Sequence, residues 1–211
     1  MRYSRSAFTL VELMVASVVF TIGFIGAYLL VESGNSLAVK AKNDIVAASV
    51  LREQYELVKN LRDSDWIQLR NWDSIEPYKV TDPRYPIDSR TRLESGYYVI
   101  ESNFDLLKPL RISRLPDTWS PTSATIVTDM SSVAPVVRLC LDSHGRYVHA
   151  CPAGARRLPY ASYFRVEPLS TTDAAGVIPV ADAWKFTFSF VSVERGYRLY
   201  EVSAILSDWK Q

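Results

Sequence analysis

The sequence predicts an α+β fold, one long N-terminal helix packed on an antiparallel β-sheet, and three observations predict it. From Phe8 to Val31 the chain is almost wholly apolar. From Lys40 to Arg62 it contains no Gly or Pro, and apolar residues recur at steps of three and four, the spacing of one helix face. After Gly96 it changes to short runs rich in β-branched and aromatic residues, bounded by Pro, Gly, Ser and Asp, which read as strands. Helix first and strands afterwards separates the two kinds of element, the order of an α+β chain and not of alternating βαβ units.

The apolar run comes first in the chain and constrains it most. About 24 residues at 1.5 Å per residue cross a bilayer core of roughly 30 Å. Arg2 and Arg5 precede the run without an acidic residue beside them, so the positive-inside rule keeps that end in the cytoplasm and exports the rest. Glu12 lies about one helical turn inside. A carboxylate at that depth costs on the order of 2.5–3.5 kcal/mol and calls for a partner. Three readings compete. A cleaved secretory signal has an apolar core of only about 7–15 residues. A plain signal anchor fits the length and leaves Glu12 unexplained. The third cuts between Ala7 and Phe8 and keeps the apolar helix.

The segment Ala7-Phe8-Thr9-Leu10-Val11-Glu12-Leu13-Met14-Val15-Ala16 resembles the processing and methylation motif of type IV pilins and pseudopilins, which favours the third reading. The resemblance implies that a prepilin peptidase removes residues 1–7 as a leader and that Phe8 becomes the N-methylated first residue. It implies that Glu12 pairs with the Phe8 ammonium of a neighbouring subunit or its own. Ala7 stands where the family usually has Gly; both are small. Gly23 and Gly26 weaken the helix by about 1 kcal/mol each relative to Ala. In this family a corresponding stretch is locally unwound in assembled pili, and close helix–helix contact at small residues is the other reading.

Beyond Glu32-Ser33-Gly34-Asn35-Ser36, where a break between two helices is one option, the stripe Ile45, Ala48, Leu51, Tyr55 and Val58 marks an amphipathic helix. Val46, Val50, Leu57 and Leu61 widen its apolar face, and Arg52, Glu56, Lys59 and Asp63 form the solvated one. The expected divisions are a leader (1–7), a long helix (8–63, with 8–31 as membrane or filament core), an irregular connector (64–96) and a β-rich head (97–211). From Phe8 to about Arg62 such a helix is on the order of 80 Å long. It is expected to end at Asp63-Ser64-Asp65, whose short polar side chains compete with the backbone.

Expected strands are Tyr97–Ser102, Leu106–Arg114, Ala124–Asp129, Val136–Asp142, Tyr147–Cys151, Tyr163–Leu169, Trp184–Val193 and Tyr197–Leu206. Trp184, Phe186, Phe188 and Phe190 alternate with Lys185, Thr187 and Ser189, the pattern of a strand with one buried face, and Glu194-Arg195-Gly196 turns it into the last strand. Asp142 to Arg146 forms a second hairpin turn. Cys140 and Cys151, the two cysteines of the chain, lie nearly opposite across it in the exported part, which predicts a disulfide; two reduced core thiols are the alternative. Asp117 to Ser132 reads as an exposed loop.

A net charge of +1 gives no electrostatic case for nucleic acid. Motifs for a nucleophilic Ser, a zinc peptidase, a phosphate loop or a cysteine zinc site are absent from the sequence. His144 and His149 alone are a weak metal signal, and some pseudopilins carry a C-terminal calcium loop whose acidic cluster this sequence lacks. The expectation is therefore no metal, no cofactor and no enzymatic activity. The resemblance implies a structural pilus subunit, major or minor, that polymerises with like or unlike pilin subunits. Its partners are membrane lipid before assembly, prepilin peptidase, and the assembly platform and ATPase. It is expected in the cytoplasmic membrane as a single-pass protein and then in an extracellular pilus or envelope pseudopilus. A pseudopilin of type II secretion or DNA uptake is one alternative; a single-pass membrane-anchored binding protein is another.

Overall fold

The computed structural model describes residues 9–67, 93–105, 108–132, 135–149, 151, 153–173 and 176–207. In chain order its elements are α1 (Leu10–Ile67), β1 (Gly96–Asp105), β2 (Lys108–Arg114), α2 (Ser123–Ser131), β3 (Arg138–Leu141), β4 (Tyr147–Val148), β5 (Arg156–Asp173), β6 (Gly176–Ser192) and β7 (Arg198–Ser207). The chain divides into two compact units, Met1–Ile45 and Val46–Gln211, and α1 contributes to both. Ser33 to Ser36 lie inside unbroken helix, so the polar residues there end nothing; α1 stops at Ile67, slightly beyond the expected Asp63-Ser64-Asp65. Most of the expected connector, 68–92, lies outside the described residues.

In the second unit the sheet is built on β5. Along one edge β5 pairs antiparallel with β6, from Tyr160↔Ser192 to Asp173↔Gly176. Its other edge is shared: β3 takes the first part, Leu141 facing Arg156 and Arg138 facing Ala161, and β1 takes the middle, Tyr98 facing Phe164. The strands β2, β4 and β7 then pair with β1, β3 and β6. All pairs are antiparallel. Tyr163–Leu169 and Trp184–Val193 were expected as ordinary strands and are parts of a much longer hairpin. Its register shifts between Pro168 and Ser170, with Pro179 opposite Ser170. Proline lacks the ladder donor, and a local irregularity lets the pairing continue past it.

One face of the sheet carries Tyr98, Ile100, Leu139, Tyr160, Phe164, Phe186, Phe188 and Phe190 against Ala47, Val50, Leu51 and Val58 of α1. Tyr55 meets Phe188 edge to face at 6.2 Å. The expected face holds at Val50, Leu51, Tyr55 and Val58, but at its start Ile45 and Ala48 are exposed and Ala47 is buried in their place. Apolar residues occur on so much of this helix that spacing alone admitted either start. The other face is also covered: Val99, Val137, Ala161, Tyr163 and Val191 pack with Leu115, Ile126 and Met130. Tyr97, Trp119 and Tyr163 form an edge-to-face trio with centroids 5.0–6.1 Å apart. β6 is therefore buried on both sides at Ser189 and Val191, against the expectation of one buried face.

The second cover is α2, and it corrects the strand expected over Ala124–Asp129 and the loop expected over Asp117–Ser132. Thr125, Ile126, Val127 and Thr128 favour strand by propensity, which tertiary context overrides. Thr122 caps the helix, its Oγ1 accepting from Thr125 N at 3.1 Å. Ile126 and Met130, four apart, are the buried residues. The far end is pinned to β3: the Asp129 carboxylate accepts from Val136 N and Val137 N at 3.0 and 3.1 Å, and the Arg138 guanidinium donates to Met130 O.

The β3–β4 turn is organised by Asp142. Its carboxylate accepts from the Arg146 guanidinium at 2.7 Å, from Arg146 N at 2.9 Å and from His144 N at 2.8 Å, and the Arg146 side chain above all holds the carboxyl down at about 2. Cys140 and Cys151 are disulfide-bonded, with Cα atoms 5.2 Å apart. The strand expected over Tyr147–Cys151 stops at Val148. Cys151 has φ +38, off the extended path.

Phe188 is fully buried among Phe164, Phe186 and Tyr55, so Phe188→Ala is expected to lower unfolding stability by about 3–5 kcal/mol, measured by denaturant titration of the full chain in detergent. Replacing both cysteines by Ser reopens a loop with a sequence separation of 11. By loop entropy the loss is roughly 2–3 kcal/mol, read as a lower midpoint in the same titration.

Candidate functional site

The first unit is the N-terminal part of α1, and its start is defined by hydrogen bonds. Thr9 Oγ1 accepts from Glu12 N at 3.3 Å, and Thr9 O accepts from Leu13 N at 3.2 Å. Thr9 is thus the N-cap and Glu12 the third helical residue, the Thr-x-x-Glu spacing of a capping box. Sequence reasoning singled out Glu12 and missed Thr9, although a Thr three residues before a Glu at the head of an apolar run is a legible start signal. In the first turn a carboxylate also faces the positive end of the helix dipole, worth about 0.3–1 kcal/mol.

Downstream, every large apolar residue from Leu10 to Val31 is more than half exposed, the least exposed being Ile25 at 53%. Soluble monomers rarely expose contiguous apolar surface of this extent. The Ser and Thr hydroxyls in the span are closed within it: Ser17 Oγ donates to Met14 O at 2.8 Å, and Thr21 Oγ1 donates to Ser17 O at 2.7 Å. Hydrocarbon demands such internal satisfaction. Among the described residues this is the one helix long and apolar enough to cross a membrane. Gly23 and Gly26 lie in unbroken helix, and a Cβ added at either meets no atom within 4 Å. Packing within the subunit therefore does not require glycine at those positions.

The remaining sequence-selected residues fall elsewhere. Ala7 and Phe8 lie outside the described residues. Cys140 and Cys151 form their bridge in the second unit. The histidines have separate surroundings: His144 is exposed in the β3–β4 turn, while His149 is buried with Nε2 3.1 Å from Ser162 O.

Comparison with known proteins adds one match. The family model for the prokaryotic N-terminal methylation motif matches residues 2–28. No curated protein and no solved structure matches the chain. The matched residues take in Ala7, Phe8 and Glu12 together with most of the exposed apolar span. The proteins that carry this motif are structural and not enzymatic, and the motif with its apolar helix fits a membrane-anchored pilin. With a match over residues 2–28 and a long helix followed by an antiparallel sheet, the chain carries the N-terminal methylation signal of type IV pilins, and that signal supports a type IV pilin-like or pseudopilin-type protein.

Proposed function

We propose that the protein is a structural subunit of a type IV pilus, polymerising through α1 after removal of residues 1–7. The observation that carries this reading is an apolar helix surface left exposed from Leu10 to Val31, within and just beyond the matched methylation motif. Such a surface has two suitable surroundings, lipid before assembly and the helices of other subunits afterwards. Prepilin peptidase cleaves Ala7–Phe8, Phe8 is N-methylated, and an assembly ATPase and platform protein move the subunit from membrane to filament.

Glu12 is assigned to charge pairing. Cleavage gives Phe8 an α-ammonium with an ordinary pKa of about 7.7–8.0, and methylation leaves its charge in place. In a low-dielectric helix bundle, removing one partner of such a pair costs about 3–5 kcal/mol because the other charge is stranded. The capping bond uses the backbone N–H of Glu12 and leaves its carboxylate available. Gly23 and Gly26 are positions at which the assembled helix can unwind or approach a neighbour.

Two measurements test this reading. Mass spectrometry of the mature chain is expected to find methyl-Phe8 at the N-terminus; an intact Met1, or a cut near Ala27, rejects it. For the pairing, Glu12→Ala and Glu12→Gln are both expected to insert in the membrane normally while incorporation into sheared filaments falls roughly tenfold or more. Gln keeps the size and hydrogen-bonding capacity of the side chain without its charge, so a fully active Glu12→Gln beside a defective Glu12→Ala overturns the charge-pairing role. Abundance in those filaments separates a major pilin from a minor pilin or pseudopilin.

A further inference from the structure

The seam of α1 on the sheet is apolar at Ala47, Val50, Leu51 and Val58 and is interrupted by Gln54, which is only 3% exposed. Among the described residues neither Gln54 Oε1 nor Gln54 Nε2, both buried, has a hydrogen-bond partner. A primary amide offers two donors and two acceptor lone pairs, and leaving them unmade in the interior carries the full desolvation penalty of the group. A helix surface with so many apolar alternatives would not hold a glutamine there without something to bond it.

The side chain lines a pocket whose other polar walls are Glu53, Tyr147, His149 and Ser162. His149 Nε2 lies 3.1 Å from both Ser162 O and Ser162 Oγ. A carbonyl only accepts, so Nε2 carries the hydrogen in that bond. The space open to the centre of a water-sized sphere is about 10 Å³, close to the roughly 10–15 Å³ that one water needs. An organic ligand does not fit, and a cation would find one carboxylate, that of Glu53, among these walls.

We propose that this pocket holds a single structural water bonded to the Gln54 amide, linking α1 to the polar patch around His149 and Ser162. The water answers the amide's buried hydrogen-bonding capacity, and it also sets the position of α1 along the sheet. A shift of one helical turn takes Gln54 away from its water and leaves the amide among apolar side chains, so the polar contact favours one register over the neighbouring ones.

The test is a crystal structure of the full chain in detergent, at a resolution that resolves ordered waters, for the unaltered protein and for Gln54→Leu. The expected result is a water peak about 2.7–3.2 Å from Gln54 Oε1 or Nε2 in the unaltered chain, lost in Gln54→Leu. An empty pocket, a larger occupant, or a Gln54 amide turned into direct bonds with protein atoms overturns the proposal. The unaltered chain decides it even if the variant does not fold.

Discussion

The apolar surface of α1 from Leu10 to Val31 is the constraint to which the rest of this protein answers. Burying one large apolar side chain is worth about 1.5–3 kcal/mol, and every such residue over this span is more than half exposed. Summed over the run, that exceeds the roughly 5–15 kcal/mol by which a domain is stable at all. A chain with this N-terminus therefore goes where something covers it. A helix is the right element for the purpose, because its backbone groups are paired internally and the hydroxyls of Ser17 and Thr21 bond to carbonyls of the preceding turn.

At the head of that surface, two functions meet in four residues without competing. Thr9 takes the backbone N–H of Glu12, which starts the helix, and the carboxylate of the same Glu12 is not used in that bond. A motif read from sequence as a charge placed at a costly depth is thus also a local folding signal, and the helix dipole lowers the cost of the charge. The head beyond Val46 has a different logic. Its sheet is covered on both faces, by α1 on one and by α2 with Leu115 and Trp119 on the other, so the head has a core of its own.

Much of this was legible in the sequence where one signal dominated. The membrane-length run, the helix beyond it and the hairpin β6–β7 follow from length, periodicity and the Glu194-Arg195-Gly196 turn. Legibility failed where two signals conflicted. Ala124 to Asp129 is rich in β-branched residues, yet the Thr122 cap and the four-residue step from Ile126 to Met130 made it helix. The seam of α1 was placed correctly at Val50, Leu51, Tyr55 and Val58 and missed at its start, because Ile45 and Ala48 are as apolar as the buried Ala47. Gln54 passed unnoticed because a glutamine on an amphipathic helix reads as solvent-facing; only its burial makes it informative. Thr9 was overlooked beside the more conspicuous Glu12.

The disulfide has a mechanical consequence. Cys140 and Cys151 close a loop confined to the β3–β4 hairpin and the few residues after Val148, so the bond staples the sheet to itself and never crosses to α1. A load applied along α1 beyond Val46 reaches the sheet through side-chain packing, chiefly Val50, Leu51, Tyr55 and Val58 against the phenylalanines of β6. The bridge toughens the β3–β4 hairpin against local opening and adds no strength to the packing of α1 beyond Val46 on the sheet.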